Sequence, residues 1–85
     1  MSRVIIYSTG TCPICDKVKG LFTKWQIDYQ ECRVDLDQSS LKSMLEITNH
    51  ARTVPQIVID ENWIGGFSEL TELHMDGKLN SLMNT

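Results

Sequence analysis

No stretch of this 85-residue chain is strongly basic, repetitive or continuously apolar. The longest hydrophobic runs fall far short of the ~18 residues of a membrane span. No basic segment leads into an apolar one as a secretory leader would, and neither end carries a lipidation pattern. Eight Lys and Arg are scattered among eleven Asp and Glu, giving a formal charge of −3, so no nucleic-acid or anionic-membrane surface is expected. Three cysteines is an odd and small number for a secreted disulfide scaffold of this length. These absences leave a cytoplasmic thiol protein as the expectation. With no linker or low-complexity segment either, residues 1–85 are expected to form one domain.

What is present begins with a short β-branched and aromatic run, Val4-Ile5-Ile6-Tyr7. It lacks polar alternation, as expected of a central strand covered on both faces. Ser8-Thr9-Gly10-Thr11 is turn chemistry, with Thr11 a candidate N-cap and Pro13 in the first helical turn, where its missing N–H costs nothing. The helix is expected to reach about Lys24, with Val18, Leu21, Phe22 and Trp25 on its apolar stripe. Tyr29 to Val34 reads as a second strand, parallel to the first through the helical crossover. Leu41, Met44, Leu45 and Thr48 mark a second helix stopping at Asn49. Gln56 to Asp60 and Trp63-Ile64 form a hairpin across Asp60-Glu61-Asn62. Ser68 is a candidate cap for a last helical region with Leu70, Leu73, Leu79 and Leu82, broken at Asp76-Gly77. The order β-α-β-α-β-β-α gives an α/β class with a mixed four-stranded sheet packed by helices on both faces.

Cys12-Pro13-Ile14-Cys15 falls where the first strand hands over to the first helix. The three-residue offset puts both sulfurs on one side of the first turn, within disulfide reach and beside unpaired helical N–H groups. Those groups favour a thiolate, which makes Cys12 the candidate nucleophile. Cys15 lies three residues before Val18 on the apolar stripe, so it faces inward and suits a resolving role. Asp16 opposes the thiolate, and Lys17 and Lys19 on the same helix are candidates to offset it. A zinc site would need further ligands, and only Cys32, His50 and His74 remain, scattered along the chain, so no metal site is expected. Cys32 reads as a small core residue on the second strand.

Two further motifs complete a pattern: Thr53-Val54-Pro55 before the third strand, and Gly65-Gly66-Phe67-Ser68-Glu69-Leu70 after the fourth. With the cysteine motif, and over essentially the whole chain, they resemble a small dithiol glutaredoxin of the thioredoxin-fold superfamily. The resemblance implies a thioredoxin-like fold and a glutathione-dependent thiol–disulfide oxidoreductase. It implies a cis bond before Pro55, leaving the Val54 backbone free to pair with an extended substrate. It also implies a glutathione site at Thr11, Ile14, Arg52, Thr53, Val54, Pro55, Gly66, Phe67, Ser68 and Glu69. There the γ-glutamyl carboxylate would take backbone N–H and hydroxyl groups near Ser68, its ammonium Glu69, and the glycine carboxylate Arg52. Glutathione would be a co-substrate, with no tightly bound cofactor. The other partners would be disulfide-containing or glutathionylated proteins, ribonucleotide reductase among them, met by a monomer.

Three positions depart from the common family pattern. Ile14 replaces a frequent Tyr and loses a hydroxyl, Thr9 replaces a frequent Lys and removes a cation, and Glu69 replaces the usual Asp with a longer reach. They bear on glutathione contacts and leave the dithiol chemistry intact. Two rival readings share these residues: a redoxin donating to ribonucleotide reductase and recharged by thioredoxin reductase, and an iron–sulfur or zinc-binding module with Cys12 as a ligand.

Overall fold

The computed structural model describes residues 3–83. In chain order its elements are β1 (Val4–Ser8), α1 (Pro13–Lys24), β2 (Gln30–Arg33), α2 (Gln38–Ile47), β3 (Gln56–Ile59), β4 (Asn62–Gly65), α3 (Phe67–Met75) and α4 (Lys78–Met83). The strands form one mixed sheet in the order β2-β1-β3-β4. β1 pairs in parallel with β2 and antiparallel with β3, and β3 and β4 form an antiparallel hairpin. This is the mixed four-stranded α/β sheet that the element order implies and the thioredoxin-like fold that the resemblance implies.

β1 is apolar from Val4 to Tyr7 because both of its faces are covered. Val4 and Ile6 pack with Val18 and Phe22 of α1, Leu70 of α3 and Leu79 of α4. Ile5 and Tyr7 point the other way, toward Met44, Leu41 and Leu45 of α2. Phe22 is fully buried, with Trp25 edge-on at 5.8 Å and Tyr29 at 6.1 Å between ring centroids. Cutting it to Ala would cost about 3–5 kcal/mol, a large share of the ~5–15 kcal/mol that holds a domain folded. Leu82, expected on the last apolar face, lies outside the described side chains.

Local rules account for the element ends. α2 stops before Asn49 and His50, both left-handed at φ 54 and 69. The β3–β4 hairpin turns on Asp60 and Glu61, at φ 51 and 69, the double left-handed conformation that matches the twist of the strands. The Asp60 carboxylate ties this turn to the chain start by accepting from the Arg3 N–H at 2.7 Å.

Expected boundaries shift at the hairpin, where β3 ends at Ile59 and β4 starts at Asn62, and at three further places. β2 is shorter than Tyr29–Val34, yet its faces alternate as expected: Cys32 and Val34 pack on the α2 side and Tyr29 on the α1 side. The N-cap of α1 is Cys12, not Thr11, because a sulfur takes the place of the expected hydroxyl. α3 starts at Phe67 behind a Gly66 N-cap, so Ser68 lies inside the first turn instead of capping it.

Candidate active site

The site grows from the start of α1. Cys12 sits in extended conformation at the N-cap, and its Sγ accepts a hydrogen bond from the Cys15 N–H at 3.0 Å. Pro13 follows in the first turn, so the helix opens without losing a donor. Cys12 and Cys15 are joined as a disulfide, with Cα atoms 5.2 Å apart. Cys15 is fully buried in the α1 interface while Cys12 keeps partial access to solvent. An incoming sulfur therefore reaches Cys12 and not Cys15.

Facing Cys12 is the loop before β3. The Val54–Pro55 bond is cis, and the Val54 carbonyl oxygen lies 3.8 Å from Cys12 Sγ. The β3 ladder begins only at Gln56, and among the described residues neither the N–H nor the C=O of Val54 joins a backbone hydrogen bond. These groups form an edge that an extended peptide backbone can pair with.

An open groove of about 730 Å³ runs from this edge to the start of α3. Of the residues expected at a binding site, Ile14, Thr53, Val54, Pro55, Gly66, Phe67, Ser68 and Glu69 line it together. Thr11 and Arg52 are exposed and lie outside that lining. Close backbone approach shapes the far end. A Cβ on Gly66 would come within 3.3 Å of the Pro55 carbonyl oxygen, and Gly65, at φ 120, would bring one within 2.7 Å of Glu69 Cγ. Glu69 Oε1 accepts from the Gly66 N–H at 2.7 Å, so this carboxylate caps its own helix while also lining the groove.

Charge around the groove is sparse. Among the described residues Glu69 is the one ionisable side chain in its lining, and Lys17 reaches its rim, with Nζ 5.8 Å from the centre of the Phe67 ring. Lys19 offsets Asp16 directly, pairing with its carboxylate at 3.3 Å, while its shorter bond goes to Glu31 at 2.7 Å. The Lys19 ammonium, with the Ser8 hydroxyl at 2.6 Å, holds the Glu31 carboxyl below the usual carboxylate range. Glu31 in turn raises the Lys19 ammonium above its ordinary value. Behind the cysteine loop, the Arg33 guanidinium forks onto Asp35 at 2.8 and 2.7 Å and holds that carboxyl well below its ordinary value. Asp35 also accepts from the Gly10 N–H at 3.1 Å, fixing the turn that leads to Cys12.

Sequence reasoning passed over Ala51, Gln56, Trp63 and Ile64, which complete the lining together with Gly65 of the Gly65-Gly66 motif. Gln56 is the most informative of them. It is buried, its Nε2 donates to the Thr53 carbonyl at 2.9 Å and to Thr53 Oγ1 at 3.1 Å, and its Oε1 accepts from the Trp63 indole at 2.8 Å. A polar residue heading an otherwise apolar strand was the available signal.

A thioredoxin-like sheet, a half-open cysteine capping a helix and a buried second cysteine one turn on define a thiol–disulfide oxidoreductase. Comparison with known proteins narrows the class. A family model described as glutaredoxin matches residues 4–64. The chain is 35% identical over 83 residues to glutaredoxin 3 of Escherichia coli, covering 98% of this chain and 99% of that protein. It is 36% identical over 86 residues to glutaredoxin 1 of Rickettsia typhi, covering 100% and 83%. Among solved structures, the buckwheat glutaredoxin–glutathione complex superposes with a TM-score of 0.84 at 30% identity, covering 98% of this chain and 77% of that one. Glutaredoxin 1 of Francisella tularensis in complex with cacodylate gives 0.76 at 33%, covering 94% and 99%. The chain belongs to the glutaredoxin family.

Proposed function

We propose that this glutaredoxin uses glutathione to reduce glutathionylated proteins and protein disulfides in the cytoplasm. The observation that carries the reading is the single groove joining Ile14 and the Val54 edge to the α3 N-terminus at Phe67 and Ser68. A glutathione sulfur placed at Cys12 has a backbone partner at Val54 and free helical N–H groups for its far carboxylate.

In deglutathionylation the Cys12 thiolate attacks the glutathionyl sulfur, the protein thiolate leaves and takes up a proton, and Cys12 carries the glutathionyl group. A second glutathione thiolate attacks that sulfur, releasing oxidised glutathione and the Cys12 thiolate. With a protein disulfide, Cys12 forms the mixed disulfide and Cys15 attacks Cys12 Sγ, freeing the protein thiol and closing the Cys12–Cys15 bond. Two glutathiones then reopen it, the first at the accessible Cys12 sulfur. A coupled assay with glutathione reductase tests this. Wild type turns over a glutathionylated peptide and Cys12→Ser does not; activity surviving in Cys12→Ser would assign the nucleophile elsewhere.

Among the described residues the lining holds no cation, and Glu69 is drawn onto Gly66, which favours one second reading: a redoxin recharged by thioredoxin reductase, with ribonucleotide reductase among its acceptors. Turnover with thioredoxin reductase and none with glutathione would select it.

A further inference from the structure

We propose that Gln56 and Trp63 are positioning residues that hold the Val54 edge in place through Thr53. The proposal rests on the reading of Val54 as the substrate-pairing edge. Gln56 is 5% exposed, and its amide is bonded at both ends: Nε2 to both oxygens of Thr53, Oε1 to the Trp63 indole N–H. The indole has one donor and no acceptor, so it fixes which end of the Gln56 amide faces it and which end faces Thr53. Breaking the chain at either link leaves a buried polar group unpaired, so the arrangement is enforced by more than the bonds themselves.

The chain of contacts also does something the sheet does not. Thr53 and Val54 precede β3, outside its ladder, and the β3–β4 pairing is irregular at Ile57/Val58. Side chains, not backbone bonds, therefore connect the loop to β4. Trp63 is 45% exposed and lines the groove, as does the 41%-exposed Ile14, so two of the large exposed apolar side chains meet at one cavity. An indole so placed contributes little to the core. Its ring walls the groove while its N–H anchors the loop.

Trp63→Phe separates these roles, since it keeps a ring and removes the N–H. The ¹⁵N order parameter of Val54 is expected to fall from the rigid range near ~0.85 toward ~0.6. The KM for a glutathionylated peptide should rise roughly five-fold, the effect of one lost hydrogen bond, with kcat and the alkylation rate of reduced Cys12 within about twofold. Gln56→Met, which removes all three contacts, should move both readouts further. If it fails to fold, Trp63→Phe, at a half-exposed position, decides. A Val54 order parameter left in the rigid range, or a KM unchanged while kcat falls, overturns the proposal. The order parameter is read without substrate, so a wild type inactive with glutathione would overturn the glutathione reading and leave this test standing.

Discussion

Glu69 has two separable duties, and two substitutions part them. Its Oε1 accepts the Gly66 N–H at 2.7 Å, satisfying a donor at the start of α3 that has no intrahelical backbone acceptor. Its negative charge also sits at the positive end of that helix, in the groove lining. Loss of a helix cap of this kind costs about 1 kcal/mol, and loss of a carboxylate from an exposed first turn about 0.5 kcal/mol. Glu69→Ala removes both, for about 1.5 kcal/mol; Glu69→Gln keeps an oxygen for Gly66 and forfeits only the charge, for about 0.5 kcal/mol. With a urea dependence of ~1 kcal/mol per M for so small a chain, the midpoints should drop by about 1.5 M and 0.5 M. If the same carboxylate meets the glutathione ammonium, both variants should raise the KM for glutathione alike, because both lose the charge. Equilibrium urea unfolding and the coupled assay read the two effects separately. Identical midpoints for the Ala and Gln variants would refute the cap as a stabilising contact.

The Glu31 carboxyl is held below its ordinary value of 4.5, so its contribution to stability is full above that value and is lost as pH falls through the lower folded-state value. Glu31→Gln should therefore flatten the acid limb of a stability profile taken by urea unfolding from about pH 7 to pH 3. Gly65→Ala forces a side chain into φ 120 and against Glu69 Cγ at 2.7 Å. A loss of about 2–3 kcal/mol is expected, lowering the thermal midpoint by roughly 10–20 °C. Cys15→Ser should keep turnover of glutathionylated peptides and lose turnover of protein disulfides, since the buried thiol is needed only to resolve the second kind of intermediate.

Much of this architecture is legible in the chain because local and global rules agree. Val4 to Tyr7 is apolar without alternation and is indeed covered on both faces; the hairpin falls where Asp60-Glu61-Asn62 marks it, although only Asp60 and Glu61 turn and Asn62 joins β4; Cys15 falls on the stripe of Val18 and Phe22 and is fully buried. The misses are of two physical kinds. At helix starts, side-chain habit misled: Thr11 and Ser68 are ordinary caps, but the sulfur of Cys12 and the backbone of Gly66 hold those places. Elsewhere the contacts are not local. Lys19 is as close in sequence to its partner Asp16 as Cys15 is to Cys12, but its shorter bond goes to Glu31 across the βα layer. Gln56 and Trp63 meet across a hairpin with irregular register, which no periodicity encodes. Arg52 shows the converse, since adjacency to Thr53 in sequence does not bring it into the groove lining.

The asymmetry of the two sulfurs, one reachable and one buried, is where fold and chemistry meet. Trapping reads it: Cys15→Ser, reduced and then treated with oxidised glutathione, should carry one glutathionyl group, mapped to Cys12 by peptide mass spectrometry. A group mapped to the half-buried Cys32, or none at all, would contradict Cys12 as the exchanging thiol.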